Sequence, residues 1–88
     1  MTTADQFVAQ VRSGRSFEDQ QLIGLDLRER SLVGAKLAGA KFSSCNFEGA
    51  DLTGADLTDA QFTDCSLREA VLDDAELAGA RLQGIDIS

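Results

Sequence analysis

The sequence predicts an all-β solenoid, and two periodicities carry that prediction. Every fifth residue from Phe17, through Leu22, Leu27, Leu32 and onward to Leu82 and Ile87, is Leu, Phe or Ile, fifteen in succession. These three types supply only 19 of the 88 residues, so the run is not a product of composition. Two places before the centres lies a second series, small residues from Ala35 through Cys45 and Cys65 to Ala80, ten in succession.

A period of five matches neither the 3.6 of a helix nor the 2 of a long strand. It matches a chain that turns a corner every five residues. On each side the large centre and the small residue before it point inward, and the other three positions face water. Seven of the eight glycines (all but Gly14) stand two places after a centre, where the third position of a type II turn needs positive φ. Asp19, Glu29, Ser44, Asp59, Asp64, Glu69 and Asp74 take that place elsewhere, and a different turn type is expected at several of them.

The segments GADLTGADLTDAQF (49–62) and DAELAGARLQG (74–84) resemble the pentapeptide repeat pattern A-(D/N)-L-x-x. The resemblance runs over residues 15–88 and is most regular over 35–84. It implies a right-handed quadrilateral parallel β-helix with twenty residues per coil, hence about three and a half coils here. The resemblance also implies a bacterial protein. The first coil departs from the pattern. Arg15, Gln20, Leu25 and Arg30 stand where small inward residues belong, so this coil is expected to be distorted or capped.

With twenty residues per coil, residues twenty apart stack at about 4.8 Å, the spacing of neighbouring strands. Phe42 and Phe62 then stack in the core, flanked by Leu22 and Leu82. Leu25, Cys45, Cys65 and Ile85 form a second inward column, with the two thiols adjacent and buried as small apolar fillers. In-register parallel side chains rarely offer the dihedral a disulfide needs. Outside, Arg28, Glu48 and Arg68 form a column of alternating charge, read as a surface ion-pair ladder. Lys36, Asp56 and Glu76 form another, and Asp26, Asn46, Ser66 and Asp86 a polar one.

A solenoid needs caps, because an end coil bares core and strand edges. Thr2 or Thr3 can cap a helix, Phe7, Val8 and Val11 share one face, and Gly14 can end it. A short helix over about 4–12 is therefore expected across the first coil. Residues 1–14 are assigned to the cap and 15–88 to the β-helix. The chain runs to IDIS still in register, so the last coil is expected to expose parts of Leu72, Leu77, Leu82, Ile85 and Ile87. An uncovered apolar patch marks an interface. These five residues are the candidate surface for a two-fold homodimer, or for another solenoid docking end to end.

The formal net charge is −7, unevenly spread. The Phe17 and Leu27 sides each carry net −3, the Leu32 side −2 and the Leu22 side +1. This balance argues against direct nucleic-acid binding and suits a protein partner with a basic face. There is no His, so the usual general base and triads are missing. No serine has an evident activating partner, no phosphate-binding glycine motif or zinc ligand set appears, and the calcium-binding nonapeptide pattern is absent. A non-enzymatic chain without cofactor or metal is expected. No apolar run approaches the roughly 18 residues of a membrane span, and residues 1–14 do not read as a signal peptide. The expectation is a cytoplasmic protein, although signal-independent secretion would leave the same sequence.

Three functions from different classes follow. The first is a non-catalytic protein-interaction or scaffold module. The second, implied by the resemblance, is mimicry of duplex DNA, by which some members bind a type II topoisomerase. Three and a half coils span only about 17 Å, which is short for a mimic. The third, also implied by the resemblance, is a translocated bacterial effector or its accessory.

Overall fold

The computed structural model describes residues 3–83 and 85. Helix α1 (Ala4–Arg12) precedes four three-residue strands, β1 (Gln21–Ile23), β2 (Lys41–Ser43), β3 (Gln61–Thr63) and β4 (Arg81–Gln83). The strands form one parallel sheet in the order β1-β2-β3-β4. Its register is twenty residues: Leu22 pairs with Phe42, Phe42 with Phe62 and Phe62 with Leu82. The other three sides keep the same offset through single parallel bridges, as at Ser16–Lys36, Asp26–Asn46 and Ser31–Asp51. The architecture is the expected right-handed quadrilateral β-helix with a short N-terminal capping helix.

The interior holds the repeat centres and small residues. Phe17, Leu27, Leu37, Phe47, Leu57 and Phe62 are buried, as are Ala35, Ala40, Cys45, Ala50, Ala55, Ala60 and Cys65. The rings of Phe42 and Phe62 stack at 5.1 Å with 16° between planes. Phe47 meets both edge-on, at 5.0 and 5.6 Å. Each such pair adds about 0.5–1.5 kcal/mol beyond its buried area.

The A-(D/N)-L pattern has a chemical reason. The residue just before a centre turns its side chain onto the backbone N–H just after it. Asn46 Oδ1 accepts from Glu48 N at 2.9 Å, Asp51 Oδ1 from Thr53 N at 3.0 Å and Asp56 Oδ1 from Thr58 N at 3.1 Å. Ser16, Asp26 and Ser66 do the same. These short polar side chains brace the corner locally. The polar column over Asp26, Asn46 and Ser66 is therefore aligned by its backbone, while its side chains bond within their own coils; Asp86 lies outside the described residues.

Turn geometry follows the side of the coil, not the residue type. All seven non-glycine residues at the turn position have φ between 54° and 60°. The carbonyl of the centre accepts from the N–H three residues on at Asp19, Glu29, Asp59, Glu69 and Asp74, as it does at Gly34, Gly39, Gly49, Gly54 and Gly79. Among the described residues that bond is missing on the Leu22 side, at Gly24, Ser44 and Asp64 alike. There the strands run straighter before the chain bends. The expected difference thus holds for Ser44 and Asp64 but not for the other five. Stacking on neighbouring coils imposes one conformation along each column, whatever residue stands in it.

The first coil is capped rather than distorted. Its bridges and hydrogen bonds to the second coil are intact, including Phe17 N to Lys36 O at 2.9 Å and Lys41 N to Gln20 O at 2.8 Å. Thr3 N-caps α1 in a reciprocal capping box with Gln6, and Ser13 closes the C-terminal end before Gly14. Phe7, Val8 and Val11 are buried, with the Phe7 ring 4.7 Å from Phe17 and 6.3 Å from Phe42. Two of the residues that break the small-residue pattern hold the cap. Arg30 Nη1 bonds Asp5 Oδ1 at 2.8 Å, and Arg15 Nη1 bonds Gln10 Oε1 at 2.8 Å while its guanidinium lies over Phe17.

Candidate interaction surface

Opposite the helix, the last described coil is open. Its centres continue columns that are sealed in earlier coils. Leu77 follows Leu37 and Leu57, which are 0% and 1% exposed, yet is itself 38% exposed. Leu82 follows Phe42 and Phe62 and is 40% exposed. Leu72 and Ile85 are half-buried and pack against the core from this end. Four of the five candidate interface residues are thus partly or largely exposed in the last described coil, and Ile87 lies outside the described residues. Exposed Asp73, Asp74, Glu76 and Arg81 flank them. Strand β4, at the edge of the sheet, adds unpaired backbone groups.

The helical end has an apolar groove of about 720 Å³ between the start of α1 and β1, lined in part by Ala4, Leu22, Ile23 and Leu25. Ile23 is 65% exposed there. A polar depression of about 390 Å³ lies beside it, lined by Asp26, Arg28, Glu29, Arg30 and Glu48. Its two arginines already have partners: Arg28 Nη2 meets Asp26 Oδ2 at 2.8 Å, and Arg30 meets Asp5.

This corrects the expected ion-pair ladder. Among the described residues Arg28, Glu48 and Arg68 make no ion pairs with one another; Arg28 turns to Asp26 in its own coil instead. Asp26 offers a bidentate partner two residues away, at 2.9 and 2.8 Å, so little side-chain entropy is lost in reaching it. That bond holds the Asp26 carboxyl below, and the Arg28 guanidinium above, their usual ranges. Asp51 is held low by hydrogen bonds from the Thr53 hydroxyl and N–H. The Lys36, Asp56 and Glu76 column forms no ion pair among the described residues either.

Cys45 and Cys65 are free, buried and adjacent in their column. The neighbouring Cys65 thiol and burial together push the Cys45 thiol up. Among the described residues no three His, Cys, Asp or Glu side chains are grouped to hold a metal ion, and no helix is long and apolar enough to cross a membrane.

The pentapeptide repeats model matches this sequence in eight copies over residues 21–59 and 55–88. The chain belongs to the pentapeptide repeat family. Among solved structures, this pentapeptide repeat protein is similar to QnrB1, a plasmid-mediated fluoroquinolone resistance protein. The identity is 32% and the TM-score 0.68, over 83% of this chain and 34% of that one. It is also similar to a pentapeptide repeat protein of the Arabidopsis thaliana thylakoid lumen, at 25% identity and TM-score 0.55, over 85% of this chain and 48% of that one. This repeat protein spans less than half the length of either. No curated protein sequence matches it.

What the sequence reading missed is the clamping role of Arg15 and Arg30. The signal was present: long side chains stood where the repeat calls for small ones, on the one coil that faces the helix.

Proposed function

We propose that this pentapeptide repeat protein is a non-catalytic interaction module that associates through its last described coil, as a two-fold homodimer. The observation that carries this reading is the exposure of Leu77 and Leu82 at the ends of columns that are sealed in every earlier coil. Burying such a face contributes about 25 cal/mol for each Å² of apolar surface removed from water. Its acidic rim disfavours close approach at low salt, so the dimer should tighten as salt screens those charges. Replacing Leu82 with Asp places a charge in the centre of the face, and sedimentation should then show only monomer. Dimer of unchanged affinity in that variant would overturn the reading.

A second reading is mimicry of duplex DNA toward a type II topoisomerase. It is favoured by the likeness to QnrB1 and by the acidic Phe17 and Leu27 sides. The described molecule measures 29 × 23 × 21 Å, so its long axis reaches less than the roughly 34 Å of one DNA turn. End-to-end pairing would lengthen it. A supercoiling assay tests this: inhibition at micromolar protein supports mimicry, and unaltered supercoiling counts against it.

A further inference from the structure

We propose that Cys45 and Cys65 form a buried two-coordinate thiolate site for a soft cation of the copper(I) class. The pairings Phe42–Phe62 and Ser43–Thr63 on one flank, and Asn46–Ser66 on the other, hold the two cysteines one rung apart. That rung is about 4.8 Å. At the roughly 2.3 Å of a zinc–thiolate bond, a metal held linearly between two sulfurs would span about 4.6 Å, and a two-coordinate copper(I) ion slightly less. The ladder thus sets the two cysteine backbones about one rung apart, close to the sulfur separation such an ion needs.

The surroundings choose the metal. Leu25 and Ile85 close the column at its two ends, so hydrocarbon flanks the sulfurs. No third ligand of the His, Cys, Asp or Glu kind joins them among the described residues, which disfavours zinc and its four ligands. Thiolate sulfur selects soft ions. Carbonyl oxygens also face the site. Cys45 Sγ donates to Leu22 O at 3.4 Å and Ser43 O at 3.5 Å, and Cys65 Sγ to Thr63 O at 3.3 Å and Phe42 O at 3.5 Å.

Binding exchanges protons for metal: two thiols and one monovalent cation give one metal bis-thiolate, carrying a single negative charge, and two protons. Access comes from the open end. Cys65 lies one rung below Ile85, so local opening of the last coil uncovers it without unfolding the aromatic core.

The test uses the whole chain under anaerobic conditions, with copper(I) as the probe in the presence of a competing chelator. One copper per chain and a raised thermal midpoint are expected, and zinc(II) should give neither. Cys45→Ala and Cys65→Ala should each abolish retention. Both should fold, because alanine occupies the equivalent place at Ala35, Ala40 and Ala55. X-ray absorption on the wild-type protein, which depends on no variant, should show two sulfur neighbours alone. Copper that is not retained, that survives either alanine change, or that shows nitrogen or oxygen neighbours overturns the assignment.

Discussion

The ring of Phe42 lies flat on that of Phe62, 5.1 Å away, because the two occupy the same position in successive coils. Phe62→Ala should cost about 3–5 kcal/mol in chemical denaturation. Phe62→Leu should cost much less, since Leu22 and Leu82 fill the same column above and below. Equal losses for the two changes would deny that the column is defined by apolar volume.

A glycine pair separates backbone strain from stacking. Gly39 and Gly54 have nearly the same φ, 71° and 69°. A Cβ at Gly54 meets open space, whereas a Cβ at Gly39 runs into Asp19 Oδ1 of the coil before. Gly54→Ala should therefore cost about 1 kcal/mol from conformation alone. Gly39→Ala should cost only slightly more in the same thermal melts, because the exposed Asp19 carboxylate can swing aside. Trimming Asp19 to Gly should recover the excess at Gly39 and leave the Gly54 change untouched.

The cap should come loose in graded steps. Thr3→Ala removes the N-cap and should cost about 0.5–2 kcal/mol. Arg30→Ala removes an exposed pair with Asp5, worth about 0.2–1 kcal/mol, and its effect should shrink in high salt. Phe7→Ala takes a fully buried ring from between helix and coil and should cost about 3–5 kcal/mol. Hydrogen exchange should quicken first in α1 for all three.

Acid should act through Asp26 and Asp51. Both carboxyls are held below their ordinary value of 3.8 by hydrogen bonds that need the ionised form. A depressed folded pKa contributes stability above the unfolded value, and that stability is lost as pH falls through the folded one. Carbon-13 titration should place both resonances below 3.8, and Thr53→Val should bring Asp51 back toward it.

Much of the molecule was legible because each repeat position does one job. The centres, the small inward column, the stacked phenylalanines and the span of α1 all follow from periods that burial enforces. The turns at Asp19 and Glu29 were not legible, because stacking overrides the reluctance of non-glycine residues to adopt positive φ. The pairing of Arg28 was missed for another reason. A column places Glu48 above it, but a flexible guanidinium takes the bidentate carboxylate in its own coil. Arg15 and Arg30 read as irregularities until the helix gave them partners. At the open end, Leu72, Leu77, Leu82 and Ile85 were named by register alone; Leu77 and Leu82 stand exposed, while Leu72 and Ile85 are half-buried.

Association through that end is the central claim, and light scattering across a dilution series tests it most directly. The account predicts a mass approaching twice the 9.4 kDa chain at high concentration, falling toward one chain on dilution. A mass of one chain throughout, up to millimolar protein, would contradict it.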